Sequence, residues 1–176
     1  LWGERGKVTP LWKFAQPRRK GYTAKIQPAL SPVFTQAQDA MRYAHERMGA
    51  RDGRQFGVIL KNLRDDEYIA TEPTTANGNS ILLSGLFPIP FGSQAYSLPA
   101  GFDYYAVYIA APKDPVDPVP GSVYADFVAP QDLADSAVLM STVRDFLPRG
   151  SAYPQLYIST REGALLSYRA SGRNAL

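Results

Sequence analysis

Metal-dependent and nucleophilic chemistry in proteins runs mostly through histidine, cysteine and paired carboxylates. This chain is sparing with them. It has one histidine, His45, and no cysteine. Disulfides, Cys-ligated zinc, iron–sulfur clusters and thiol catalysis are therefore excluded. So are metal sites that need two or three histidines, and a Ser-His-Asp triad could be built only on His45. His45 lies in the run YAHERMG. A zincin helix needs a second histidine four residues on, because positions i and i+4 share a face. That position is Gly49, and the motif fails. The spacing makes His45 a surface or boundary residue of a helix, with a pH-sensitive or ligand-holding role as the alternative.

Two carboxylate groupings remain. Asp132 and Asp135 are three apart and would share one helix face. Such a pair can hold a cation or do acid–base work. At a helix amino terminus it more simply complements the dipole. Asp65, Asp66 and Glu67 are consecutive, lack the EF-hand spacing, and suit a solvated turn. No phosphate-binding Gly-x-x-x-x-Gly-Lys-Ser/Thr loop and no Gly-x-Ser-x-Gly elbow occurs, and NGNSILLSG does not match the dinucleotide fingerprint. Tyr104, Tyr105 and Tyr108 suit strand packing better than a cofactor shelf. No cofactor is implied by any of these patterns.

Charge is unevenly spread. Of the 176 residues, the first 25 carry seven basic side chains against one acidic, while the rest hold 12 basic and 15 acidic. The basic segment also carries both tryptophans, Trp2 and Trp12. Interleaved basic and aromatic residues can grip nucleic acid or an anionic membrane surface. A short arm broken by Pro and Gly reads more simply as a linker. No apolar run approaches 18 residues, so no membrane-spanning helix is expected. A cysteine-free chain suits both a reducing cytosol and export, so the compartment stays open. The start at Leu1 suits a piece of a longer protein.

The elements that must position these residues follow from periodicity. Residues 1–30 read as an extended leader and 31–176 as a single domain. A helix is expected over about 33–48, capped by Ser31 or Thr35, with Phe34, Ala37, Met41, Ala44 and Met48 on its apolar face. Residues 54–61 alternate as a mostly buried strand that turns at LRDDE into a second strand, Tyr68–Thr71. Residues 72–101 read as a long insertion with at most a short strand at Ile81–Leu83. FDYYAVYIAA, residues 102–111, is the strongest strand signal. The proline-rich run 111–121 reads as an exposed, semi-rigid loop rather than a polyproline ligand. A second helix should begin near Ala129 and bury Leu133, Ala137, Met140, Val143 and Leu147, ending at Pro148 and Gly150. Strands 155–160 and 164–170, joined at Arg161-Glu162-Gly163, close the chain. The expected class is α+β, a mixed or antiparallel sheet flanked by two main helices.

The order of these segments resembles the JAB/MPN (JAMM) metallohydrolase fold, and more particularly the bacterial DUF4329-type domains of RHS-repeat and other polymorphic-toxin-like proteins. The resemblance rests on RQFGVILKN (54–62), PAGFDYYAVYIAAP (99–112), DFVAPQDLADSAV (126–138) and LYISTREGALLSY (156–168). It does not extend to the basic leader. In the active family a glutamate on the first strand is the acid–base for a zinc-bound water. The resemblance puts Gln55 there. The two metal-binding histidines fall on Ile109 and Ala111, and the assisting serine near Val128 or Ala129. Of the family's metal-site residues, only the aspartate persists, as Asp132.

One carboxylate cannot hold a catalytic zinc, which needs about three protein ligands. The resemblance therefore implies a catalytically inactive domain, without metal or catalytic residues, that binds a protein partner or another region of its own chain. Gln55, Ile109, Ala111 and Asp132 would mark the degenerate site. Phe87, Phe91 and Tyr96, in the Pro-rich insertion, are the expected partner-binding residues. The edge of the last hairpin could add a partner strand. The alternative is a hydrolase or effector module with a rebuilt site using Asp132, Asp135, Arg161, Glu162 or a tyrosine.

Overall fold

The computed structural model describes residues 29–48, 54–76, 86, 98–99, 101–110, 130–147, 149, 151–160 and 163–169. The elements in chain order are α1 (Ala37–Met48), β1 (Gln55–Asn62), β2 (Tyr68–Ala70), β3 (Thr74–Thr75), β4 (Phe102–Ala110), α2 (Pro130–Phe146), β5 (Gln155–Ser159) and β6 (Leu165–Tyr168). They form a mixed sheet in the order β2-β1-β4-β5-β6, with β3 also paired to β1. All pairings are antiparallel except β4–β5, which is parallel. A parallel neighbour needs a long crossover, and α2 lies within it.

Alternation along β1 and β4 makes two cores. Phe56, Val58 and Leu60 of β1, with Phe102, Tyr104, Val107 and Ile109 of β4, pack against Leu139 and Val143 of α2. Ile59, Ala106, Tyr108 and Ala110 face the other way, against Ala40, Met41, Ala44 and Met48 of α1. One helix thus covers each face, giving an α+β fold with a mixed sheet. The register slips between Ile59 and Leu60, so that Tyr105 is left without a partner on β1. This bulge puts Tyr105 beside Ala106 on the α1 face. Among the described residues no helix is long and apolar enough to cross a membrane.

The first helix starts at Ala37, later than expected. The chain before it pairs along the outer edge of β2 instead. Ser31 N–H donates to Ala70 O at 2.8 Å, and Phe34 and Tyr68 exchange backbone hydrogen bonds of 2.8 and 2.7 Å. Ser31 does not cap the helix. Its hydroxyl donates to Pro32 O and accepts from Ala70 N–H. Pairing along a sheet edge satisfies backbone groups that one more helical turn would have satisfied, and it shields that edge.

The second helix begins where expected, but its buried stripe is rotated. Ser136, Leu139 and Val143 are buried, whereas Leu133 is exposed. Met140, Phe146 and Leu147 pack beside the stripe. Val143, Met140 and Leu147 pack on the core as expected, and the difference is that Leu139 and Ser136 take the buried place expected of Leu133. Thr74–Thr75 adds a short strand inside the expected insertion. The strand expected at Ile81–Leu83, the loop 111–121 and the leader 1–28 lie outside the described residues.

Candidate functional site

β1 begins and β4 ends at the same end of the sheet, and Gln55 lies directly opposite Ala110. This is where the resemblance puts the reaction centre. Successive strand residues point to opposite faces. Gln55 shares the α1 face with Ile59, while Ile109 packs with Leu139 on the α2 face. Two of the expected site residues therefore point away from each other. Asp132 lies in the first turn of α2. Ala111, Val128 and Ala129 lie outside the described residues, as do Phe87, Phe91, Tyr96, Arg161 and Glu162.

The residue on β1's side of the sheet that does meet α2 is Arg54. Its guanidinium donates to the Asp135 carboxylate in an ion pair whose side chains are only 12% and 15% exposed. Ser136, the next residue, is fully buried. The first turns of α2 are thus locked to the start of β1 by a largely desolvated ion pair. These residues do not fit a zinc site. A guanidinium repels a cation, Ile109 offers no donor, and Asp135 is already engaged. Among the described residues no group of three or more His, Cys, Asp or Glu side chains could hold a metal.

Gln55 is 1% exposed, and both its amide oxygen and its amide nitrogen lack a hydrogen-bond partner. Buried polar groups are nearly always paired, so this side chain stands out. His45, on α1, reaches the turn between β5 and β6, with Nε2 3.0 Å from Gly163 O. A carbonyl only accepts, so Nε2 carries the proton in this contact. His45 Nδ1 is buried without a partner. The histidine is a boundary residue that ties α1 to the last hairpin.

The acidic turn is engaged locally. Asp66 pairs with Lys61 at 3.0 Å and holds its ammonium above the usual lysine range. Glu67 accepts from Asn62 Nδ2 at 3.1 Å.

The opposite end of the sheet is open. A cleft of about 370 Å³ lies between the starts of β4 and β5 and the ends of α2 and β6, lined by residues that include Tyr104, Tyr105, Tyr153, Gln155 and Arg169. Arg144 stacks on the Tyr153 ring, 3.9 Å from its centroid, and donates to its hydroxyl, which fixes that wall. Tyr105 is held edge-on against Tyr68, with centroids 5.1 Å apart. Tyr157 lies close by. Burial pushes its phenol up, Tyr105 adds to that, and Arg169 works against it. Of the three tyrosines read as strand packing rather than a cofactor shelf, Tyr105 lines the cleft half-buried. Tyr104 lines it too but is mostly buried, and Tyr108 is fully buried elsewhere.

The spacing of residues gave no sign of this cleft or of the Arg54–Asp135 pair. Both arise from partners far apart in the chain. Comparison with family models, with curated proteins and with solved structures gives no match in any of the three.

Proposed function

We propose that this chain is a JAB/MPN-like domain that has lost its metal chemistry and works by binding. The partner is another protein, or another region of the same full-length chain, within a larger secreted or toxin-like bacterial protein. The observation that carries the reading is the largely desolvated Arg54–Asp135 pair, at the end of the sheet where Ile109 is packed as core. It occupies the end of the sheet where a hydrolase of this type would need a carboxylate base and metal ligands. A cation and a packed isoleucine there support a structural use of that end. The open, aromatic end supports contact with a partner, since Tyr and Arg are enriched in the centres of interfaces.

The test is elemental analysis of the purified protein after incubation with zinc and exhaustive dialysis, together with isopeptide and peptide hydrolysis assays. The expected result is substoichiometric metal and no hydrolysis above the buffer rate. One equivalent of retained zinc, with hydrolysis abolished by Asp132→Ala, would overturn the reading.

A further inference from the structure

We propose that the cleft between the starts of β4 and β5 takes an acidic peptide segment, presenting a carboxylate beside an apolar side chain. The proposal rests on the binding function above and names the chemistry of its partner. Arg169 is the charged side chain of the lining. It is exposed and has no ion-pair partner among the described residues. A guanidinium in this setting favours a planar, bidentate anion such as a carboxylate.

The rest of the lining matches the other parts of a peptide. Gln155 donates through Nε2 to Ser167 Oγ at 2.7 Å. That bond fixes the amide and leaves its carbonyl oxygen to accept a peptide N–H. Pro154 is buried and Leu147 half-buried, and together they give an apolar floor. Tyr105 and Tyr153 are the walls, each already held by a neighbour, Tyr68 and Arg144. Rings fixed before binding lose little freedom on binding. A neutral, purely apolar occupant would leave Arg169 without a charge partner. A basic occupant would be repelled.

The probe is an acetylated, amidated peptide of sequence Leu-Asp-Tyr-Glu-Leu, added to the full chain labelled for NMR. The control peptide carries Asn and Gln in place of the two acids. The expected result is shifts centred on Tyr153, Gln155 and Arg169. Affinity should fall about tenfold with the neutral peptide, and by a similar factor in Arg169→Gln. Arg169 is at the surface, so that variant keeps the fold. Tyr153→Ala, also exposed, should weaken both peptides alike. Equal affinity for the acidic and neutral peptides, unchanged binding by Arg169→Gln, or shifts confined to the basic leader would overturn the proposal. A partner cross-linked from another surface would remove this cleft from the account while leaving the binding function intact.

Discussion

The phenol of Tyr108 lies across Gly57, its cross-strand partner, and donates to Thr71 O at 2.5 Å. Thr71 answers with its hydroxyl, which accepts from Val58 N–H at 3.1 Å. A Cβ on Gly57 would overlap the Tyr108 ring and meet Thr71 Oγ1 at 2.6 Å. The glycine is required by this close approach. Gly57→Ala should therefore expel the ring and destabilise the fold by about 2–4 kcal/mol. In a Tyr108→Leu background the same change should cost much less. Chemical denaturation of the double-mutant cycle checks this, and additive costs would contradict the contact.

Arg54 and Asp135 compensate each other in a largely dry environment. Asp135→Leu alone or Arg54→Met alone removes one partner of a largely desolvated ion pair and should cost about 2–4 kcal/mol. The double variant Arg54→Met/Asp135→Leu should recover most of that stability. Thermal melts of the three variants test it. If the double variant is as unstable as the worse single variant, the pair is not acting as a unit.

Gln55 is the reverse case. Its amide is buried without partners, so it pays desolvation with no return. Gln55→Met keeps the volume and removes the orphaned polar atoms. It should leave stability unchanged or raise it by about 1–2 kcal/mol. A clear loss of stability would show that the amide is paired in solution.

The tyrosines set the alkaline limit. Tyr43 is pushed up to about 12 by burial and by its 2.8 Å hydrogen bond to Glu72. Burial raises Tyr108 as well, despite an opposing contribution from Thr71. A phenol raised in the fold keeps its proton when the unfolded chain gives it up. Stability from both groups is thus present below about pH 10 and declines as pH rises towards their folded values. Tyrosinate absorbance should show Tyr43, Tyr108 and Tyr157 among the late-titrating phenols, and Tyr43→Phe should remove one of them and flatten the alkaline fall in stability.

What the sequence alone could tell depended on how local the cause was. β1 and β4 were legible because Phe56, Val58 and Leu60 alternate, and FDYYAVYIA has no competing period. The start of α1 was not, because Ser31 reads locally as a cap while its real partners are on Ala70, far along the chain. The buried stripe of α2 was legible at Val143, Met140 and Leu147 but not at its start, because Leu133 and Leu139 are equally apolar and only the sheet decides between them.

The placement of the site turns on parity. A strand reverses its faces with every residue, so Gln55 and Arg54 lie on opposite sides of the sheet. Only the pairing of Gln55 with Ala110 resolves that parity. The Tyr153, Gln155 and Arg169 cleft needs three elements to assemble before it exists.

The central claim is that this domain acts through a protein contact made at the aromatic end of the sheet. Site-specific photo-crosslinking in the full-length protein tests it most directly. A photoreactive phenylalanine would replace Tyr153 in one variant. In a control it would replace Leu133, which is 39% exposed near the start of α2, at the Arg54 end of the sheet. The account predicts a discrete crosslink from position 153, to another protein or to another region of the same chain. That crosslink should weaken when Arg169→Gln is added, and it should be absent from position 133. Crosslinking that is equal at the two positions, or absent from 153, would contradict it.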